Sequence, residues 1–140
     1  MELLTKFRFE VDWGGTKIGF SEISGLNVET EVIEYRNGVT PGDTKIKQAG
    51  LKKYGNISMK RGMFKDDNEY FNWWKETFEK EYKRDITIKL LNESGEPVVS
   101  WSVSQAWPVK IDATDLKADG NEIAIESMEL AHEGLVMDVH

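Results

Sequence analysis

The chain has 140 residues, 18 Lys and Arg against 25 Asp and Glu for a net charge of −7, and no cysteine. That length suits a single domain over 1–140 with a real core, and without cysteine neither disulfides nor thiolate metal sites can form. The acidic balance disfavours specific nucleic-acid binding, no apolar run reaches the roughly 18 residues of a membrane span, and no signal sequence opens the chain, so synthesis in the cytoplasm is expected.

Period-two alternation dominates the pattern. Phe7, Phe9, Val11 and Trp13 alternate with Arg8, Glu10 and Asp12, which predicts a strand with one apolar face. Gly14-Gly15 predicts a two-residue hairpin turn, and Ile18, Phe20 and Ile23 mark the returning strand. A longer strand is predicted over 26–36, with Leu26, Val28, Thr30 and Val32 on one face and Asn27, Glu29, Glu31 and Ile33 on the other. Residues 37–53 lose periodicity and gather glycine, proline and lysine. A loop of that length between two good strands (26–36 and 54–61) reads as a projecting arm.

A helix is predicted over 66–82. Asp66 is placed to cap it, with Glu69 three residues on as the reciprocal partner. Phe71, Trp74, Phe78 and Tyr82 follow spacings of three and four and form the stripe expected to face the core. Glu76 and Glu79 stand four before Lys80 and Lys83, a favourable order on a solvent face. This phase turns Trp73 outward, where an exposed tryptophan marks a contact. Strands then return: Ile86, Ile88 and Leu90 alternate, 92–97 turns, and Val99, Trp101 and Val103 come back. Ala106-Trp107-Pro108 predicts a corner, because proline restricts its predecessor and removes a ladder donor. Asp119-Gly120-Asn121 predicts a turn into a last strand over 122–133. The expected fold is mainly β, a two-sheet β-sandwich or barrel with one α-helix on its flank.

The candidate chemical motifs are weak. Asp115 and Glu126 have the spacing of a calcium loop, but Lys117 stands where an oxygen ligand is required, so a hairpin turn is the better reading. His132-Glu133 lacks the second histidine of a zinc-protease helix, and His140 with Asp138 fits a solvated terminus better than a metal site. No phosphate loop, nucleophile elbow or Ser-His-Asp set stands out, so no catalytic residue, metal or cofactor is assigned. Trp73, Trp101 and Trp107 leave one alternative open, a monomeric carbohydrate-binding β-sandwich module. Against it, Trp101 shares a face with Val99 and Val103.

Several blocks taken together resemble the tail-tube (inner tube) family of contractile phages and contractile injection systems. They are 19–26 (Gly-Phe-Ser-Glu-Ile-Ser-Gly-Leu), 31–38 (Glu-Val-Ile-Glu-Tyr-Arg-Asn-Gly) and 53–62 (Lys-Tyr-Gly-Asn-Ile-Ser-Met-Lys-Arg-Gly). Trp73-Trp74, 91–95 with Trp101, 106–110, 121–126 and 130–135 follow in consistent order, so the resemblance spans nearly the whole chain.

That resemblance implies a non-enzymatic subunit whose strands join those of its neighbours in a ring-wide β-barrel. Such subunits form homohexameric rings that stack into a tube inside a contractile sheath, meet baseplate and spike proteins, and conduct protein or DNA cargo. They make no membrane insertion as monomers. The particle would be a phage tail or an injection particle, leaving the cell by lysis or held in the cytoplasm before firing. On this reading Asn27, Glu29, Glu31, Ser58 and Lys60 face the lumen, with Val28, Val32, Ile57 and Met59 in the core behind them. Thr40, Pro41, Gly42, Lys45, Lys47, Lys52 and Lys53 belong to an inter-ring or inter-subunit loop, its lysines set against an acidic partner surface. Trp73 is expected at a sheath or subunit contact.

Overall fold

The computed structural model describes residues 4, 8–35, 46–79, 81–113, 116, 118 and 123–140. The strands are β1 (Arg8–Asp12), β2 (Phe20–Ser24), β3 (Val28–Tyr35), β4 (Ile46–Tyr54), β5 (Ile57–Gly62), β6 (Arg84–Leu91), β7 (Pro97–Ala113), β8 (Ile125–Ala131) and β9 (Gly134–Val139). One helix, α1 (Glu69–Glu76), lies between β5 and β6.

Seven strands form one antiparallel sheet in the order β1-β6-β7-β8-β5-β2, with β9 also paired to β7. The 17-residue β7 folds that sheet into two layers. Its first half pairs with β6 and β9, from Leu91↔Pro97 to Arg84↔Ala106 and from Val99↔Val139 to Ser104↔Gly134. Its second half pairs with β8, from Trp107↔Ala131 to Ala113↔Glu126. The change of partner falls at Ala106-Trp107, beside Gln105, whose φ of 54° is unusual for a side chain with a Cβ. The corner expected at Ala106-Trp107-Pro108 is therefore real: the strand runs on but switches layers.

The alternation expected of 86–90, 99–103 and 57–61 is also present. Ile86, Ile88, Val99, Val103, Ile57 and Met59 are buried, and Val11, Trp13, Met128 and Leu130 join them in one core. The turn at 92–97 forms as expected, with the Asn92 side-chain carbonyl accepting from the amides of Ser94 and Glu96.

Two expectations about the first half are corrected. Gly14-Gly15 does not join a hairpin: β1 pairs with β6 and β2 with β5, at opposite edges of the large sheet. Trp13, directly after β1, is fully buried in the core, so the segment that follows is held there and not beside a returning strand. The second correction concerns 46–54, which is a strand and not loop. It pairs with β3 as a separate two-stranded sheet, while β5 pairs with β2 and β8 instead. The lysines there suit a strand because β3 opposes them with acids: Glu29 faces Lys53 and Glu34 faces Lys47 in the register.

This hairpin also leaves Val28 and Val32 each 63% exposed, so the core expected behind the arm is absent from the single subunit. The two-residue stretch following β8 turns back, and β9, which the sequence pattern did not mark, lies on β7. The expected turn at Asp119-Gly120-Asn121 lies outside the described residues.

The helix is shorter than expected and rotated. Asp66 sits before it with φ 64°, the N-cap is Asn68 without a side-chain cap bond, and Asp67 Oδ1 takes the Glu69 amide at 3.0 Å. Glu69 does not reach back to a cap; its carboxylate accepts the Thr16 amide at 2.7 Å and the Thr16 hydroxyl. The buried face carries Tyr70 and Trp73, both fully inside, while Phe71 is 52% and Phe78 76% exposed. Tyr70 and Trp73 are also three apart, so the sequence holds two adjacent aromatic stripes. Polar partners decide between them. The Tyr70 hydroxyl donates to the Met59 carbonyl at 3.2 Å, and Trp73 Nε1 donates to the Tyr82 carbonyl at 2.7 Å.

Trp73→Ala should cost about 3–5 kcal/mol, the usual range for emptying a buried aromatic site. Phe71→Ala should stay within about 0.5 kcal/mol. Chemical denaturation of the two variants, followed by circular dichroism, checks the phase of the helix.

Candidate assembly surface and its buried brace

The layer formed by the second half of β7 with β8, β5 and β2 has a polar outer face. The register places Lys110 beside Glu129, Asp112 beside Ser127, Ser58 beside Glu129, Lys60 beside Ser127 and Glu22 beside Lys60. Lys60 Nζ pairs with Glu22 at 3.3 Å, Lys110 Nζ with Asp112 at 3.3 Å, and Asn56 donates to Glu129 at 3.2 Å. Opposite charges thus cancel locally, and serines 24, 58 and 127 fill the spaces. Such a face is wetted but binds no single charge strongly.

Among the described residues this layer ends in two open edges, β2 on one side and 107–113 of β7 on the other. An open edge exposes unpaired amides and carbonyls and invites another strand.

Beside it stands the arm formed by β3 and β4. Its ladder carries ion pairs between Lys53 and Glu31 at 2.8 Å and between Lys47 and Glu34 at 4.0 Å, and Lys52 donates to the Thr30 hydroxyl at 3.2 Å. Apolar groups stand between them in the open: Val28, Val32, Ile33, Tyr35 and Leu51 are all exposed. A lone two-stranded hairpin is marginal in water.

The layer is anchored from behind by Arg61, whose side chain is fully buried. Its Nε donates to Glu126 Oε1 at 2.7 Å and Nη2 to Asp67 Oδ1 at 2.9 Å. Its guanidinium carbon lies 4.2 Å from the Tyr70 ring centroid and 5.4 Å from that of Trp13. Burial works against the cation, but the hydrogen bond and charge of Glu126, joined by Asp67, outweigh it and raise the guanidinium above its ordinary pKa. Nη1 is buried without an acceptor, so the ring faces and the two carboxylates carry the compensation. Burial also raises the Tyr70 phenol well above its ordinary range, against the opposing pull of Arg61. A second cation, Arg84, lies 4.5 Å over Trp73 and donates to the Trp13 carbonyl at 3.3 Å and to Glu76 at 3.1 Å.

The residues singled out by sequence separate accordingly. Ser58 and Lys60 share the polar face, whereas Asn27 lies at the arm's base and Glu29 and Glu31 are on the arm with Lys47, Lys52 and Lys53. Thr40, Pro41, Gly42 and Lys45 lie outside the described residues. Trp73 is fully buried, which removes it as a surface contact and breaks up the three-tryptophan sugar platform. Trp101 packs against the core, and Trp107 meets Tyr82 edge-on at 6.0 Å. Arg61 was missed by sequence reasoning. Its signal was a charged residue in phase with Ile57 and Met59 on a core-facing strand.

Comparison with known proteins bears on all of this. The profile of the family described as T4-like virus tail tube protein gp19 matches residues 5–136. The structure of the anti-feeding prophage tube-terminating cap is similar at 30% identity and a TM-score of 0.88, over 100% of this chain and 93% of that one. A chain of the sheath–tube complex of the PVC extracellular contractile injection system, in its extended state, is 32% identical with a TM-score of 0.86, over 99% and 93%. Hcp1 from Flavobacterium johnsoniae shares the fold at 16% identity and a TM-score of 0.60, over 96% and 97%. No match is found among curated protein sequences.

Glu126→Leu should destabilise the subunit by about 3–5 kcal/mol, because it strands a buried cation. The double variant Arg61→Met/Glu126→Leu should recover most of that loss; equilibrium denaturation of the pair and of each single change checks it. Tyr70 supplies a pH test. The unfolded phenol ionises near pH 10, whereas the folded one stays neutral, so stability should be lost progressively as pH rises above about 10. Ultraviolet difference titration should show one of the four tyrosines ionising only as the protein unfolds, and Tyr70→Phe should remove that step.

Proposed function

The chain belongs to the T4-like virus tail tube protein gp19 family, and from that premise we propose that this tail tube protein of contractile injection systems assembles as hexameric rings stacked into a hollow tube inside a contractile sheath. The observation that carries the proposal is the polar-faced layer with an open edge on each side. Edge β2 of one subunit meets the 107–113 edge of the next. A head-to-tail contact that closes by rotation makes a ring, and a closed barrel has no edge left to aggregate. The face bearing Glu22, Ser58, Lys60, Lys110, Asp112 and Glu129 then lines the channel, where balanced charge lets cargo pass without being held.

The arm completes the assembly. Its apolar residues are covered by a neighbouring subunit in the same or the next ring, and its ion-paired rungs fix the register of that contact. The outer surface of the tube meets the sheath, and the ends of the tube meet baseplate and terminating proteins. The system to which it belongs builds phage-tail-like particles. The part the subunit plays is mechanical: a rigid, smooth conduit driven through a target envelope by sheath contraction.

Purified protein at high concentration should give rings with sixfold symmetry and tubes by electron microscopy, with Ser58 and Lys60 on the channel wall in the reconstructed density. Val28→Asp/Val32→Asp should keep the circular-dichroism spectrum and the unfolding midpoint of the native subunit yet abolish tubes. Normal tubes from that variant would remove the arm from the assembly, and a monomer at all concentrations in the native protein would remove the tube reading itself.

A further inference from the structure

The β7-β8-β5-β2 layer has unlike ends. At one end it continues into the arm, since 25–27 joins β2 to β3 and 55–56 joins β4 to β5. This root is closely packed. Gly25 has φ 88° and lies against the Asn56 carbonyl, where a Cβ would collide. From the turn after β8, the His132 ring stands 5.4 Å from that of Tyr54, with Nε2 3.0 Å from the Gly55 oxygen. On the arm, the register puts Val28, Val32, Lys47 and Lys52 on one face. The two valines are bare. Lys52 meets the uncharged Thr30 hydroxyl, and Lys47 stands a full 4.0 Å from Glu34.

The other end of the layer lies five residue steps along β5, or about 17 Å away. It carries a second apolar surface. Ile18 is 65% and Ile123 77% exposed, and Met63 and Phe64 are open to solvent with them. The Met63 amide donates to the Ala124 carbonyl at 2.9 Å, which sets Met63 beside Ile123. The Phe64 ring lies on Gly19, next to Ile18, at a place where a Cβ would come within 2.5 Å of it. Between Phe64 and the loop before α1 opens a cleft of about 360 Å³, lined by Thr16, Ile18 and 64–69. Its charged lining is three carboxylates, Asp66, Asp67 and Glu69, and one ammonium, Lys65. The wall is therefore acidic.

We propose that this cleft and its apolar rim are the seat for the arm of the next copy along the tube. The match is of two kinds. Val28 and Val32 are covered by Ile18, Phe64 and their neighbours, which removes apolar surface from water on both sides. Lys47 and Lys52, on the same face as the valines, meet the acidic wall, and opposite charge fixes the register of the contact. Arm and seat stand at opposite ends of one layer, so a subunit cannot fill its own seat. Each copy gives its arm in one direction and receives an arm from the other, a heterologous contact that repeats without closing. Rings joined this way all point along the axis in the same sense. The proposal rests on the tube reading and assigns the arm to the contact between rings.

The test exploits a chain without cysteine. Ala49→Cys, on the valine face of the arm, carries one benzophenone label and is mixed as a minor fraction into native protein. After irradiation of the tubes, products of two joined chains should map to 16–19 or 63–69. The reciprocal label, at Ile18→Cys, should map to 28–35 or 46–54. Ile18→Asp/Phe64→Asp should keep the native circular-dichroism spectrum and unfolding midpoint and form rings that do not stack. If that variant does not fold, the two cross-link maps decide alone. Cross-links to any other surface, or normal tubes from the folded double variant, would overturn the seat and leave the tube reading standing. A native chain that forms no tube under any condition removes both.

Discussion

A single buried cation organises this subunit. Arg61 extends from β5 into the core, where Glu126 of β8 and Asp67 ahead of the helix accept its hydrogen bonds and the Tyr70 and Trp13 rings lie near its guanidinium. Removing a guanidinium from water is expensive, and the expense is offset only when every one of these groups is in place. The ion therefore ties together β5, β8, the loop before α1, the helix and the segment after β1. Were the helix to rotate, Tyr70 would leave the cation and Trp73 would leave Arg84, which stacks on it. Hence the helix presents Phe71 to the outside, and Phe78 just beyond it is exposed as well, against the simplest reading of the aromatic spacing.

With the core braced from within, the remaining surface is left unfinished. The β7-β8-β5-β2 layer ends in open edges, and the β3–β4 arm holds valines, an isoleucine and a tyrosine in the open. In a monomer such features are liabilities. On the assembly proposed for this member of a tail-tube family they are the complementary halves of contacts that a second copy would supply. Ion pairs along the arm, Lys53 with Glu31 and Lys47 with Glu34, support its strand pairing.

Where strands carried strict alternation, the sequence was easy to read. Ile57 and Met59, Ile86 and Ile88, and Val99 and Val103 all lie inside as their period requires. The corner at Ala106-Trp107-Pro108 was legible because proline restricts its neighbourhood. Elsewhere the local signal was genuine but ambiguous. Gly14-Gly15 can turn a hairpin, yet Trp13 has more to gain in the core than beside a returning strand. The lysines and glycine of 46–54 lack strand propensity by themselves and become a strand only opposite the acids of β3. Alternation placed Ser58 and Lys60 on the polar face that they occupy, while Trp73 went inside with the helix phase.

The sequence by itself determined the class of the fold, the inward faces of the central strands, the position of the helix and the resemblance to a tube protein, since periodicity and ordered motifs are properties of the chain. The tertiary structure decided which aromatic stripe is buried, which strands are partners and where the edges lie. Those choices depend on contacts between residues far apart, such as Arg61 with Glu126 and His132 with the Gly55 carbonyl. No local pattern carries their energy, because each exists only once the chain has brought its two halves together.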